Sequence, residues 1–96
     1  MTRVEAGEAE CAQAIGLLLS TQRDKLLLSR PEVLRRTGFS LNLNTLFKVE
    51  TGDVRMSPFV LAKICVVLGL DYTTVLKHGI EIGLAVARTY DADSVE

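Results

Sequence analysis

The chain has 96 residues, a formal charge of −1, and 48% hydrophobic but only 5% aromatic residues, which fits a single domain with an aliphatic core. No apolar run approaches the roughly 20 residues that span a bilayer, and the acidic start from Met1 to Glu8 has no secretory apolar region, so a cytoplasmic protein without membrane contact is expected. Cys11 and Cys65 make neither a metal spacing nor a disulfide framework, His78 is the sole histidine, and no phosphate loop or nucleophile motif occurs; no enzyme, metal or cofactor is expected.

The charge is unevenly placed. Residues 11–78 hold nine Lys or Arg against five Asp or Glu, a net +4, whereas residues 1–10 and 79–96 together sum to −5. A basic middle between acidic ends leaves a nucleic-acid partner open despite the negative total.

From Glu8 to Leu26, Cys11, Ile15, Leu18, Leu19, Gln22 and Leu26 recur at spacings of three and four, which predicts an amphipathic helix with Leu17 on its polar side. Ser29 then reads as an N-cap, with Pro31 in the first turn and Glu32 completing a capping box, for a second helix to about Arg36. Thr37-Gly38 ends it. A third helix follows, capped by Ser40 or by Asn42, the latter favoured because Leu41 then plugs the core. In it Leu46 and Val49 face inward and Asn44, Thr45 and Lys48 outward. Gly52 stops that helix, and Ser57-Pro58 opens a fourth. Phe59 to Leu68 is nearly all apolar, which predicts a helix buried on most sides at the centre of the core. Gly69 ends it, and Asp71 or Thr73 caps a last helix reaching about Thr89.

The expected fold is therefore all-α, a compact five-helix domain with a tight connection between the second and third helices. At this point the chain resembles the Cro-repressor or XRE helix-turn-helix family, which is lambda-repressor-like. The likeness is carried by Ile15-Gly16 with Leu19 and Arg23, then Leu28-Ser29, Thr37-Gly38, Val49-Glu50-Thr51-Gly52, Ser57 and Leu68-Gly69-Leu70-Asp71. It implies a sequence-specific double-stranded DNA-binding domain, usually a homodimeric repressor, with the third helix in the major groove. Residues 1–10 would form a flexible acidic tail or the start of the first helix, and 11–90 the DNA-binding domain with a dimerisation helix at 73–89. Residues 91–96 would be a disordered tail. The resemblance also implies that Arg30 and Arg55 grip phosphate and that Arg23 pairs with Glu50. One departure is an apparent two-residue insertion before the third helix, where the chain reads Leu41-Asn42-Leu43-Asn44.

Asn pairs with adenine through two bonds and Lys donates to guanine, so Asn42, Asn44 and Lys48 are the candidate base readers, with Thr45 for phosphate or a thymine methyl. Under the simplest alignment Phe47 is oddly exposed. On the last helix Val75, Gly79, Ile82 and Val86 form one stripe, expected to make the homodimer, and Leu76, Ile80, Gly83, Leu84 and Ala87 form another beside it. Two stripes packed inside one monomer is the alternative. Leu17, Phe47 and the last helix also suit a protein partner, as in an antitoxin or anti-activator built on the same fold.

Overall fold

The computed structural model describes residues 6–38, 41–53 and 57–94. Five helices follow in order: α1 Glu8–Lys25, α2 Arg30–Arg36, α3 Leu43–Thr51, α4 Pro58–Leu68 and α5 Tyr72–Ser94. There is no strand among the described residues.

Local chemistry accounts for most of these boundaries. Ser29 Oγ accepts from the Glu32 amide at 3.2 Å, Asn42 Oδ1 from the Thr45 amide at 2.7 Å, and Ser57 Oγ from the Val60 amide at 3.3 Å. Each bond satisfies a first-turn donor that the helix itself leaves open. Asn42 is thus the cap of α3; Ser40 lies outside the described residues. At the other ends, Gly52 and Gly69 turn left-handed at φ 81° and 70°. There Asp53 N reaches Lys48 O at 2.8 Å, and Leu70 N reaches Cys65 O at the same distance.

The end of α1 uses the same device with a less suitable residue. Leu28 N bonds Arg23 O at 3.1 Å while Leu27 takes φ 59°, a conformation a leucine adopts at a cost. Leu27 is also almost fully exposed, so no packing offsets that cost.

Leu19, Val33, Leu34, Leu46, Val49, Leu61, Ile64, Cys65, Leu68 and Val75 form one core drawn from all five helices. Gln22 of α1 donates to Leu68 O at 2.9 Å, which serves a carbonyl left open at the end of α4. Gly16 lets α1 lie against the end of α3: a Cβ there would come within 2.4 Å of Val49 O. Burial raises the thiol pKa values of both Cys11 and Cys65, as befits small hydrophobes rather than nucleophiles.

Three expectations are met in part. The α4 helix buries Leu61, Ile64, Cys65 and Leu68, but Phe59 and Val66 stand out in solvent. Val60, Ala62, Lys63 and Val67 are partly covered, so the helix is covered on most sides and its open side is confined to Pro58, Phe59 and Val66. Residues 6 and 7 are not a loose tail, while Glu8 to Glu10 do start the first helix, the other alternative: Ala6 is buried, and Gly7 lies against Gly83 of α5. Finally, α5 runs on past Thr89 to Ser94, because Tyr90-Asp91-Ala92-Asp93 contains neither glycine nor proline to stop it.

Candidate nucleic-acid interface

Glu50, in the last turn of α3, is the point where three helices are tied together. Arg23 of α1 donates from Nε to Glu50 Oε2 at 2.8 Å and from Nη2 to Oε1 at 3.1 Å. Arg30, at the start of α2, donates from Nε to Oε1 at 2.9 Å. The Glu50 side chain is only 3% exposed, so its charge is taken out of water but matched on two sides. Arg23 also donates from Nη1 to Leu28 O at 3.0 Å, which fixes the α1–α2 turn. The bond to Glu50 raises the Arg23 pKa above its ordinary value and outweighs the opposing effect of burial.

This tie sets the pose of α3. Leu46, Val49 and Glu50 point inward, and Asn44, Phe47, Lys48 and Thr51 turn to solvent. Leu43 borders that face and stands one turn from Phe47. The Arg30 guanidinium lies over the Phe47 ring, 5.0 Å from its centroid. Ser29, Arg30, Leu43, Asn44 and Phe47 line a shallow concavity of about 600 Å³ between α2 and α3.

Of the expected base readers, Asn44 and Lys48 are exposed and Thr45 is half-buried. Asn42 is the cap of α3: its Oδ1 accepts from the Thr45 amide, which leaves one lone pair and the Nδ2 group for any further bond. Arg30 sits at the flank of the face, with its Nε committed to Glu50. Arg55 lies outside the described residues. Arg35 and Arg36 both bond Glu32 on their own helix, and those bonds lower the Glu32 pKa to about 2. They form a solvated face with a net charge of about +1, two guanidiniums on one carboxylate.

The expected dimer stripe lies largely against its own chain. Val75 and Gly79 are buried within this chain, and Ile82 and Val86 are partly covered. A Cβ at Gly79 would meet Ile15 Cγ1 at 2.5 Å, and one at Gly83 would meet Gly7 O at 2.8 Å, so these glycines serve the close approach of α1 to α5. Besides Tyr72 at its start, α5 leaves Ile80 and Leu84 half-exposed. With Cys11, Ile15, Leu61 and Leu76 they line a mostly apolar groove of about 510 Å³. Sequence reasoning passed over Leu43, although its spacing of four from Phe47 was the signal that could have found it. Among the described residues no group of His, Cys, Asp or Glu is arranged to hold a metal ion, and no single helix is long and apolar enough to cross a membrane.

Two short helices joined by a turn and seated on a three-helix core define an all-α helix-turn-helix domain. No protein-family model and no curated protein matches the chain. The fold is shared with the crystal structure of ClgR, a clp gene regulator from Corynebacterium glutamicum, at a TM-score of 0.66 and 22% identity over 88% of each chain.

Proposed function

We propose that the chain is a sequence-specific double-stranded DNA-binding transcriptional regulator, a homodimeric repressor that sets α3 in the major groove of a near-palindromic operator. One observation carries the reading: α3 presents Asn44 and Lys48 to solvent beside Arg30, while its own carboxylate, Glu50, is turned into the core and matched. Amide and ammonium groups suit base edges, and a guanidinium at the flank suits phosphate. Thr45 joins as a further contact by its hydroxyl and methyl, Arg55 by the family resemblance, and Asn42 serves as the helix cap. Likeness of fold to a gene regulator supports the same class. The protein would work in the cytoplasm, with the Ile80 and Leu84 side of α5 pairing two chains.

Selection of bound duplexes from a random library, followed by affinity against salt, tests the proposal. An enriched inverted repeat is expected, together with a log–log salt slope of about −0.9 for each phosphate contacted. A flat salt response with no enriched sequence overturns it. That outcome would favour the second reading, a protein-interaction module such as an antitoxin or anti-activator, for which the half-exposed Ile80 and Leu84 are the supporting observation.

A further inference from the structure

The solvent face of α3 is not uniformly polar. Leu43 is 49% exposed and Phe47 47% exposed, and a spacing of four residues puts them side by side on the helix surface. Phe47 does not stand alone: Arg30 lies over its ring at 5.0 Å, Arg30 Nε is bonded to Glu50, and Glu50 is held by Arg23 from the core helix. An apolar edge is thus held in place beside the polar group of Asn44.

The surroundings of this edge select its occupant. The one carboxylate on α3, Glu50, is 3% exposed and bonded to two arginines, so the rim presents Arg30 and Lys48 and attracts an anionic partner. In duplex DNA the apolar group that projects into the major groove is the C5-methyl of thymine, and the same A·T pair offers adenine N6 and N7 to an asparagine. Asn44 stands one residue from Leu43 and three from Phe47, so one pair or two neighbouring pairs would meet all three side chains.

Resting on the DNA reading above, we infer that Leu43 and Phe47 read thymine methyl groups, so that the operator carries thymines where the first turns of α3 enter the groove. Arg30 is then a positioning residue for Phe47 as well as a phosphate ligand. Each buried methyl is worth about 0.8 kcal/mol, which is roughly a fourfold change in affinity.

The test uses the full chain and duplexes recovered from the random-library selection, resynthesised with deoxyuridine replacing thymine at one position at a time. Deoxyuridine lacks only the C5-methyl. One or two positions in each half-site should weaken binding by about fourfold. The Phe47→Ala and Leu43→Ala variants, checked for unchanged helical content, should bind the thymine site more weakly and lose its advantage over the deoxyuridine site. A site whose every thymine tolerates deoxyuridine overturns the inference and leaves the DNA reading standing. So does a thymine preference that survives in both variants. Absence of any enriched duplex or salt-dependent binding overturns the DNA reading itself, and this inference with it. Should one variant fail to fold, the other decides together with the deoxyuridine series on the wild type, and a thymine preference that survives in it overturns the inference.

Discussion

Arg23 and Glu50, 27 residues apart in sequence, meet through two parallel N–H···O bonds of 2.8 and 3.1 Å inside the domain. This fork-to-carboxylate geometry gives direction as well as attraction, and it fixes α3 relative to α1. Replacing Glu50 with alanine would leave Arg23 buried with only the exposed Asp24 carboxylate, at 3.3 Å, as counter-charge and is expected to cost about 3 kcal/mol. Arg23→Ala should cost no more than that, because Glu50 keeps Arg30. Urea melts decide the matter: a loss below about 1 kcal/mol for both variants would mean that the pair behaves like an exposed one.

Leu27 offers a prediction of the opposite sign. Its φ of 59° closes the end of α1, and its side chain is almost fully exposed. A left-handed backbone costs an ordinary residue about 1 to 2 kcal/mol, and glycine avoids that strain at a smaller entropic cost in the unfolded chain. Leu27→Gly should therefore raise stability by about 0.5 to 1 kcal/mol. A lower urea midpoint in the variant would show that Leu27 makes a contact worth more than its strain.

Much of this architecture is legible in the sequence because helix ends are written in local chemistry. Ser29, Asn42, Ser57, Gly52 and Gly69 each act within a few residues of their position, and all of them terminate helices in the structure. Facing is harder to read. Val75-Gly79 and Ile80-Leu84 are neighbouring stripes on α5, and periodicity alone does not say which one meets α1. The deciding fact is steric: α1 comes so close that only Gly79 and Gly83 fit beneath it. The same limit applies to α4, where an almost wholly apolar segment leaves Phe59 and Val66 in solvent, and composition does not say which side opens. At the candidate site Asn42 carried two plausible roles, cap and base reader. The bond to the Thr45 amide assigns the first.

On DNA, Arg30 and Asn44 are expected to fail differently when removed. Arg30 flanks α3 and would hold phosphate, so Arg30→Ala should weaken binding to every duplex and reduce the salt slope by about 0.9, with a further loss at thymine sites because it also releases the Phe47 ring. Asn44 projects from the exposed face of α3. Asn44→Ala should cost about 1 to 3 kcal/mol at one base pair and leave random DNA unaffected. Titrations on the selected site and on a scrambled one separate the two. Equal losses on both duplexes for Asn44→Ala would remove it from the readers.

The last prediction concerns how two chains would pair. A twofold repressor needs a self-complementary patch, and the stripe of Val75, Gly79, Ile82 and Val86 is poorly placed to supply it, since Val75 and Gly79 are already covered by the chain itself. Ile80 and Leu84 are one helical turn apart, each about half exposed, and border an apolar groove continuous with Leu61 and Leu76. In an antiparallel approach of two α5 helices, the pair from one chain would enter the groove of the other, and the relation would be reciprocal as twofold symmetry requires. The two copies of α3 should then lie about 34 Å apart, or a multiple of it, along the duplex. Ile80→Glu with Leu84→Glu places two carboxylates in that contact and should hold the chain monomeric without loss of helix, because neither residue is part of the buried core. Leu17→Glu, at an exposed site on α1, is the control and should leave association unchanged. Sedimentation equilibrium at high micromolar concentration reads the outcome. A wild type that stays monomeric, or a double variant that still dimerises, would rule out this face of α5 as the interface.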